Sequence, residues 1–220
     1  MKYYFLLVLA TFSATLHSCS QTDAKKQEDS GSQQIKVGGS CEGCEAIYES
    51  PLPLERLSNT DTLPDFNEEG PKIAISGIIY QADGKTPAKD VVLYIYHTDQ
   101  HGKYATRGNE TGWGKRHGYL RGWVKTGGDG VYRFYTLVPA SYPDGRNPKH
   151  IHPTIKEPGK TEYYIDEYVF ADDPYLPEEE RNRPKPRGGN GVLQPAQKDG
   201  MLQATRNIIL GLNVPGYPLK

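Results

Sequence analysis

The sequence predicts an all-β fold, a two-sheet β-sandwich with long loops, and three observations carry that prediction. Short β-branched and aromatic runs recur between Gly, Pro and Asp breaks, as strands separated by turns do. The composition holds 24 Gly, 17 Pro and 16 Tyr against 2 Met, which suits short strands and many turns better than a helical bundle. No heptad pattern or internal repeat competes with this reading.

Taken in order, Lys72 to Gln81 is Ile-rich and ends at the turn dipeptide Asp83-Gly84, which gives a first strand. Val91 to His97 is too short for a buried helix and follows Pro87 and Asp90, so it reads as a second, buried strand. Leu120 to Thr126 and Val131 to Val138 flank Gly127-Gly128-Asp129-Gly130, the pattern of a hairpin with a Gly-containing loop. Lys149 to Ile155, Glu162 to Phe170 and Thr205 to Leu212 complete seven predicted strands, a number that suits a sandwich. Ala171 to Gly200, with five prolines and a run of charges, reads as a long loop, and such loops are often functional.

The N-terminal end has its own signature. Lys2 precedes an apolar run from Tyr3 to Ala10, and Leu16 to Ser20 places Cys19 where a lipoprotein signal peptide is cut, so residues 1–18 read as that signal and Cys19 as the lipidated residue. The run is shorter than the ~18 apolar residues that span a bilayer. Residues 19–36 are polar and read as a flexible tether, leaving 37–220 as one domain. The expected location is the cell envelope, exported and held to the membrane by the lipid anchor alone. The net charge of -1, from 26 basic and 27 acidic residues in mixed order, gives no field for nucleic acid. Cys41 and Cys44 form a C-x-x-C without a second cysteine pair, which in an oxidising compartment reads as a local disulfide rather than redox chemistry or half a zinc site.

His150 and His152 carry the sharpest chemical signal. Two residues apart on a strand, both imidazoles point to one side and can face one metal, and zinc, iron and copper sites all use this spacing. His97, His101 and His117 remain as possible third ligands for zinc. Neither H-E-x-x-H nor a G-x-S-x-G elbow occurs. Tyr142 lies eight residues before His150, and Tyr104 lies in His101-Gly102-Lys103-Tyr104. A phenol, with a pKa of ~10, ligates only where a strong Lewis acid takes its proton, so two tyrosinates would favour ferric iron over zinc.

The ordered motifs resemble a known family, the intradiol ring-cleavage dioxygenases. The likeness runs from about Ile75 to Pro174. It takes in Gly77, the Pro87 to Asp99 strand region, Gly102-Lys103-Tyr104, and Leu120-Arg121-Gly122-Trp123 with Thr126 and Gly128-Asp129-Gly130. It continues through Tyr132 to Thr136 with Pro139, Tyr142-Pro143, His150-Ile151-His152, Tyr168-Val169-Phe170 and Asp173-Pro174.

The resemblance implies a transthyretin-like sandwich core and one Fe(3+) per chain, with Tyr104, Tyr142, His150 and His152 as ligands. It implies a catechol and O2 as substrates, cleavage between the two hydroxylated carbons, and a muconate-type diacid as product. Tyr142 matches the labile tyrosinate that accepts a catechol proton. The family's arginine three residues before the first histidine is Asn147 here, and Arg146 stands one residue further off as the catalytic substitute. The helical dimerisation segment of the cytosolic catechol enzymes has no counterpart between Val37 and Pro71. Two other readings share the fold: a non-catalytic transthyretin-like surface domain binding carbohydrate or protein, and a zinc hydrolase on His150, His152 and a third histidine.

Overall fold

The computed structural model describes Met1 and residues 34–218. The expected signal peptide, Cys19 and most of the tether lie outside the described residues. From Ile35 the chain is packed, since Ile35 N–H donates to the Gly159 carbonyl at 2.9 Å.

Two mixed sheets form the sandwich. The first contains β1 (Thr60–Thr62), β2 (Lys72–Tyr80), β5 (Val131–Leu137), β10 (Ala196–Lys198) and β11 (Met201–Thr205) in the order β1-β5-β2-β11-β10, with β12 (Ile208–Ile209) also on β2. The second contains β3 (Val92–His97), β4 (Arg121–Lys125), β6 (His150–Lys156), β8 (Tyr168–Phe170) and β9 (Val192–Leu193) in the order β4-β3-β6-β8-β9, with β7 (Tyr163–Tyr164) on β6. Two one-turn helices, α1 (Gly114–His117) and α2 (Glu178–Arg181), and a 3-10 segment, Cys44–Glu49, complete the elements that matter below.

Side-chain alternation divides the second sheet into two faces. Leu93 and Ile95 of β3 and Ile151 and Ile155 of β6 turn inward and join Ile73, Ile75, Ile79, Tyr132 and Phe134 of the first sheet in the main core. Val92 and Tyr94 turn outward with Trp123 and are covered by Ala46 and Ile47 of the 3-10 segment, which makes a second, smaller core. The β3–β6 register sets Tyr96 opposite His152 and Tyr94 opposite Thr154, so the outward residues of β6 share this second face.

Three strand expectations need correction. The predicted hairpin is not one: β4 pairs with β3 while β5 pairs with β2, in the other sheet. Both ends of the Gly-rich link are committed elsewhere. Thr126 N–H donates to Val91 O (3.0 Å), whereas Ile79 N–H donates to Gly130 O (2.8 Å). Gly130 has φ +67, and a Cβ there would stand 2.6 Å from the Ile79 carbonyl oxygen, so this inter-sheet corner requires glycine. The run 162–170 is split into β7 and β8. The run 205–212 is interrupted at Asn207, whose Oδ1 accepts the Ile78 N–H (3.0 Å) where a backbone carbonyl would continue the ladder. The long segment 171–200 contains α2, β9 and β10.

Candidate metal centre

The outward face of β6 and two loops converge on one cluster. His150 and His152 lie on β6 with ring centroids 4.6 Å apart and planes nearly perpendicular. Tyr104 comes from the loop after β3 and Tyr142 from the loop after β5. The Tyr104 oxygen lies 2.5 Å from the Tyr142 oxygen and 2.7 Å from His152 Nε2, and the Tyr142 oxygen lies 3.2 Å from His150 Nε2. Two phenols and two imidazoles thus make one continuous run of contacts.

The two loops meet because Gly102 permits it. With φ +71 and an imaginary Cβ 2.0 Å from the Ser141 carbonyl oxygen, no other residue fits against the Tyr142 loop. Asp99 shapes the turn by accepting the N–H groups of His101 (2.8 Å) and Lys103 (3.0 Å), and the Thr98 hydroxyl donates to Ala140 O (2.7 Å). The start of β6 is anchored by Asp173, a buried carboxylate that accepts Lys149 N–H (2.8 Å) and Tyr175 N–H (2.8 Å). That is the physical task of the Asp173-Pro174 motif.

The ring orientations are fixed from behind. His150 Nδ1 donates to Pro148 O at 2.7 Å, which leaves Nε2 toward Tyr142. His152 Nδ1 lies 3.1 Å from Glu167 Oε1. Tyr96 stacks on His152 (4.5 Å, 17°) and on its other side against His117 (3.8 Å, 1°), whose Nδ1 bonds the Tyr94 hydroxyl (2.8 Å). Sequence reasoning missed Tyr96 and Glu167, and gave His117 only as a possible third zinc ligand. The alternation of β3 put Tyr96 on the histidine face, but only the strand pairing shows that it lies opposite His152.

Burial favours the neutral forms of both phenols and of His150. Burial, then the bond to Tyr142, raises the Tyr104 phenol well above its usual range, and burial raises Tyr142 as well. Burial, then the neighbouring His152, lowers His150. Burial raises Glu167, but the hydrogen bond and charge of His152 outweigh it, and Glu167 ends below its usual value.

The donor set fits ferric iron. Two imidazoles with Nε2 turned inward and two phenols that need a strong Lewis acid to ionise make a set that zinc does not favour. The zinc reading loses its third imidazole: His97 is buried in the main core, His117 is bound to Tyr94 behind Tyr96, and His101 is exposed. Among the described residues, His150, His152 and Glu167 are the His, Cys, Asp and Glu side chains that gather within reach of one ion. Cys41 and Cys44 are paired as a disulfide.

Around the cluster the surface is hollow. A cleft of about 490 Å³ runs past Tyr96, His152 and Glu167 to Tyr164, Arg183 and Arg187, with Ser40 to Gly43 of the disulfide loop on its lip. A hollow of about 270 Å³ is walled by Tyr104, Tyr142, His152, Trp113 and His117. A third, about 290 Å³, has Tyr142, Arg146, Asn147 and His150 in its wall. Arg146 thus stands beside the cluster, exposed, with its backbone N–H on Asp144 (3.2 Å).

Comparison with known proteins adds the following. A family model described as Dioxygenase matches residues 49–184. Chlorocatechol 1,2-dioxygenase of Cupriavidus pinatubonensis is 26% identical over 151 residues, which covers 58% of this chain and 55% of that protein. Catechol 1,2-dioxygenase 1 of Acinetobacter lwoffii is 37% identical over 86 residues, 39% of this chain and 26% of that one. The chain spans about half the length, or less, of these curated relatives. Among solved structures, catechol 1,2-dioxygenase from Acinetobacter sp. ADP1 superposes with a TM-score of 0.53 at 21% identity, over 69% of this chain and 56% of that one. The dioxygenase domain of a dioxygenase carbohydrate-binding protein fusion from Streptomyces sp. SirexAA-E gives 0.51 at 22% identity, over 68% and 85%. At these identities the likeness to solved structures concerns the fold.

Proposed function

Because this chain belongs to the intradiol ring-cleavage dioxygenase family, we propose that it cleaves a catechol between its two hydroxylated carbons with O2, giving a muconate-type diacid. The observation that carries this reading is the run His150, Tyr142, Tyr104, His152, in which both phenols and both Nε2 atoms meet on one face of the sheet. Tyr104, Tyr142, His150 and His152 would hold one ferric ion, which would supply a Lewis acid that makes phenol and catechol hydroxyls alike more acidic.

The protein's own contribution is placement. His150 and His152 are held with Nε2 inward by Pro148 and Glu167, so neither imidazole must reorient. Tyr104 is held by Tyr142 (2.5 Å) and His152 (2.7 Å), whereas the second contact of Tyr142, to His150, is longer at 3.2 Å, and Tyr142 also borders the hollow beside Arg146. Tyr142 is therefore the tyrosine whose phenolate, once a bound metal had taken its proton, would be placed to swing away and accept a catechol proton at its oxygen. The hollow between Trp113, His117 and the two tyrosines would receive the ring. Arg146, which borders the same hollow as Tyr142 and His150, would supply the guanidinium that steadies negative charge on a bound catecholate.

The visible spectrum and iron content of the full-length protein test this reading, before and after catechol is added without oxygen. The expected result is about one iron per chain and a red-brown band that shifts with catechol and weakens in Tyr104→Phe and Tyr142→Phe. Admitting O2 should then consume it and yield the diacid. A protein that stays colourless after iron reconstitution overturns the reading.

The sequence further supports export with lipidation at Cys19, a reading of residues outside those described. Metabolic labelling with a fatty acid should mark the protein and fail with Cys19→Ala; equal labelling of both refutes it.

A further inference from the structure

The two histidines of the cluster are alike in sequence but not in what stands behind them. His150 Nδ1 donates to a neutral acceptor, the Pro148 carbonyl (2.7 Å). His152 Nδ1 faces a carboxylate, Glu167 Oε1 (3.1 Å). We propose that Glu167 is a positioning residue of the metal centre. It takes the Nδ1 proton of His152 as a hydrogen bond, fixes the tautomer that presents Nε2 beside Tyr104, and makes His152 the more strongly donating of the two imidazoles.

Three features of the fold support a built contact. The Glu167 backbone is clamped from outside: a Cβ on Gly191 would fall 2.1 Å from the Glu167 carbonyl oxygen, so only glycine lets that strand close, and Val169 N–H donates to Gly191 O (3.0 Å). The basic neighbour Arg183 is engaged elsewhere, with Glu180 and Asp166. The ring that Glu167 addresses is held in plane by the Tyr96 stack, so the hydrogen bond sets the one remaining freedom, which edge of the imidazole faces inward.

Glu167 is not itself placed as a ligand. Its oxygen bonds Nδ1, on the far side of the imidazole from the Nε2 that lies 2.7 Å from Tyr104. A carboxylate hydrogen-bonded to a ligating imidazole raises its basicity, and losing such a partner costs ~10 to 100-fold in metal affinity. A more basic His152 gives more electron density to a ferric ion. The ion is then a weaker Lewis acid, with tyrosinate charge transfer at higher energy and a lower reduction potential than with a neutral acceptor in place of Glu167.

This inference rests on the ferric reading above, and its test separates the two. The full-length protein, Glu167→Gln and Glu167→Ala are loaded with Fe(3+) and compared without oxygen for band position, reduction potential and iron affinity against a chelator. Glu167→Gln keeps the shape and a neutral acceptor. The expected result is retained colour, a band moved to longer wavelength, a raised potential and iron affinity ~10 to 100-fold weaker, with a larger affinity loss in Glu167→Ala. A Glu167→Gln protein whose band, potential and affinity match wild type overturns the positioning role while leaving the ferric reading standing. Complete loss of iron from Glu167→Gln, with thermal unfolding unchanged, makes Glu167 a direct ligand and also overturns it. A wild-type protein that takes up no ferric iron overturns both.

Discussion

Two histidine clusters sit one residue apart on β3 and on opposite faces of the same sheet, and they differ in what their hydrogen bonds leave over. On the inner side, His97 Nδ1 donates to Thr98 O (2.8 Å), and the Thr136 hydroxyl bridges His97 Nε2 (2.7 Å) to the Asp65 carboxyl (3.0 Å). All three side chains are buried, and each polar atom has a protein partner within the network. On the outer side, Tyr96 abuts His152, and there two phenols and two imidazoles mostly have one another for company beside open hollows. A closed polar network holds a structure together. A cluster of donors open to a hollow is arranged to receive something.

That contrast predicts which changes cost function and which cost stability. The largest effect on turnover is expected from the outer cluster: His150→Ala or Tyr104→Phe should lower catechol-dependent oxygen uptake by ~100-fold or more, since even a partner behind a metal ligand is worth up to ~100-fold, with little change in the unfolding temperature. The inner cluster should behave in reverse. Asp65→Ala leaves Thr136 and His97 short of a buried partner and should cost ~1 to 3 kcal/mol in denaturant unfolding, with oxygen uptake per folded molecule unchanged. If Asp65→Ala abolished activity at full stability, the division between the two faces would fail.

Smaller effects sharpen the boundary. The Cys41–Cys44 disulfide closes a short loop, so Cys41→Ser with Cys44→Ser should destabilise by ~2 kcal/mol. The loop forms the lip of the larger cleft, so KM for catechol should rise as well, while iron content stays at the wild-type level. The mildest prediction concerns acid. Burial, then Arg121, lowers His117 to about 4, and its unfolded imidazole takes a proton near pH ~6.5. The depressed value means that the unfolded chain binds the extra proton first. Stability is therefore complete above the unfolded value and falls as pH drops from ~6.5 to 4. His117→Phe, which keeps a ring against Tyr96, should show a shallower fall of the unfolding temperature over that window.

Much of the architecture was legible because strands announce themselves by composition and alternation. Lys72 to Tyr80, Val92 to His97 and His150 to Lys156 lie within a residue of their expected limits. Pairing was not legible at the Gly127 to Gly130 corner, because a glycine-rich turn looks the same whether its strands pair with each other or cross between sheets. Thr126 and Gly130 decide that through bonds to Val91 and Ile79, which lie far off in sequence. For the cluster, the H-x-H spacing and the family's ordered tyrosines pointed to Tyr104, Tyr142, His150 and His152. Glu167 was not legible. It follows the break between β7 and β8 that the sequence reading ran through as one strand, and only that break and the Gly191 contact turn its carboxylate toward His152.

The tie between Gly102 and the Ser141 carbonyl has a consequence for how the metal and the fold depend on each other. In an unfolded chain only His150 and His152 are near neighbours, and a two-imidazole pair is a weak, unselective chelate. Tyr104 and Tyr142 join it only once β3, β5 and β6 are in place and the two loops touch. An ion held by these four residues would thus bind the native chain far better than the unfolded one, and by mass action each tenfold excess of ion over its dissociation constant should add ~1.4 kcal/mol to the stability of the assembled sandwich. Iron would then act as a late fastener, locking in whichever molecules have already folded correctly.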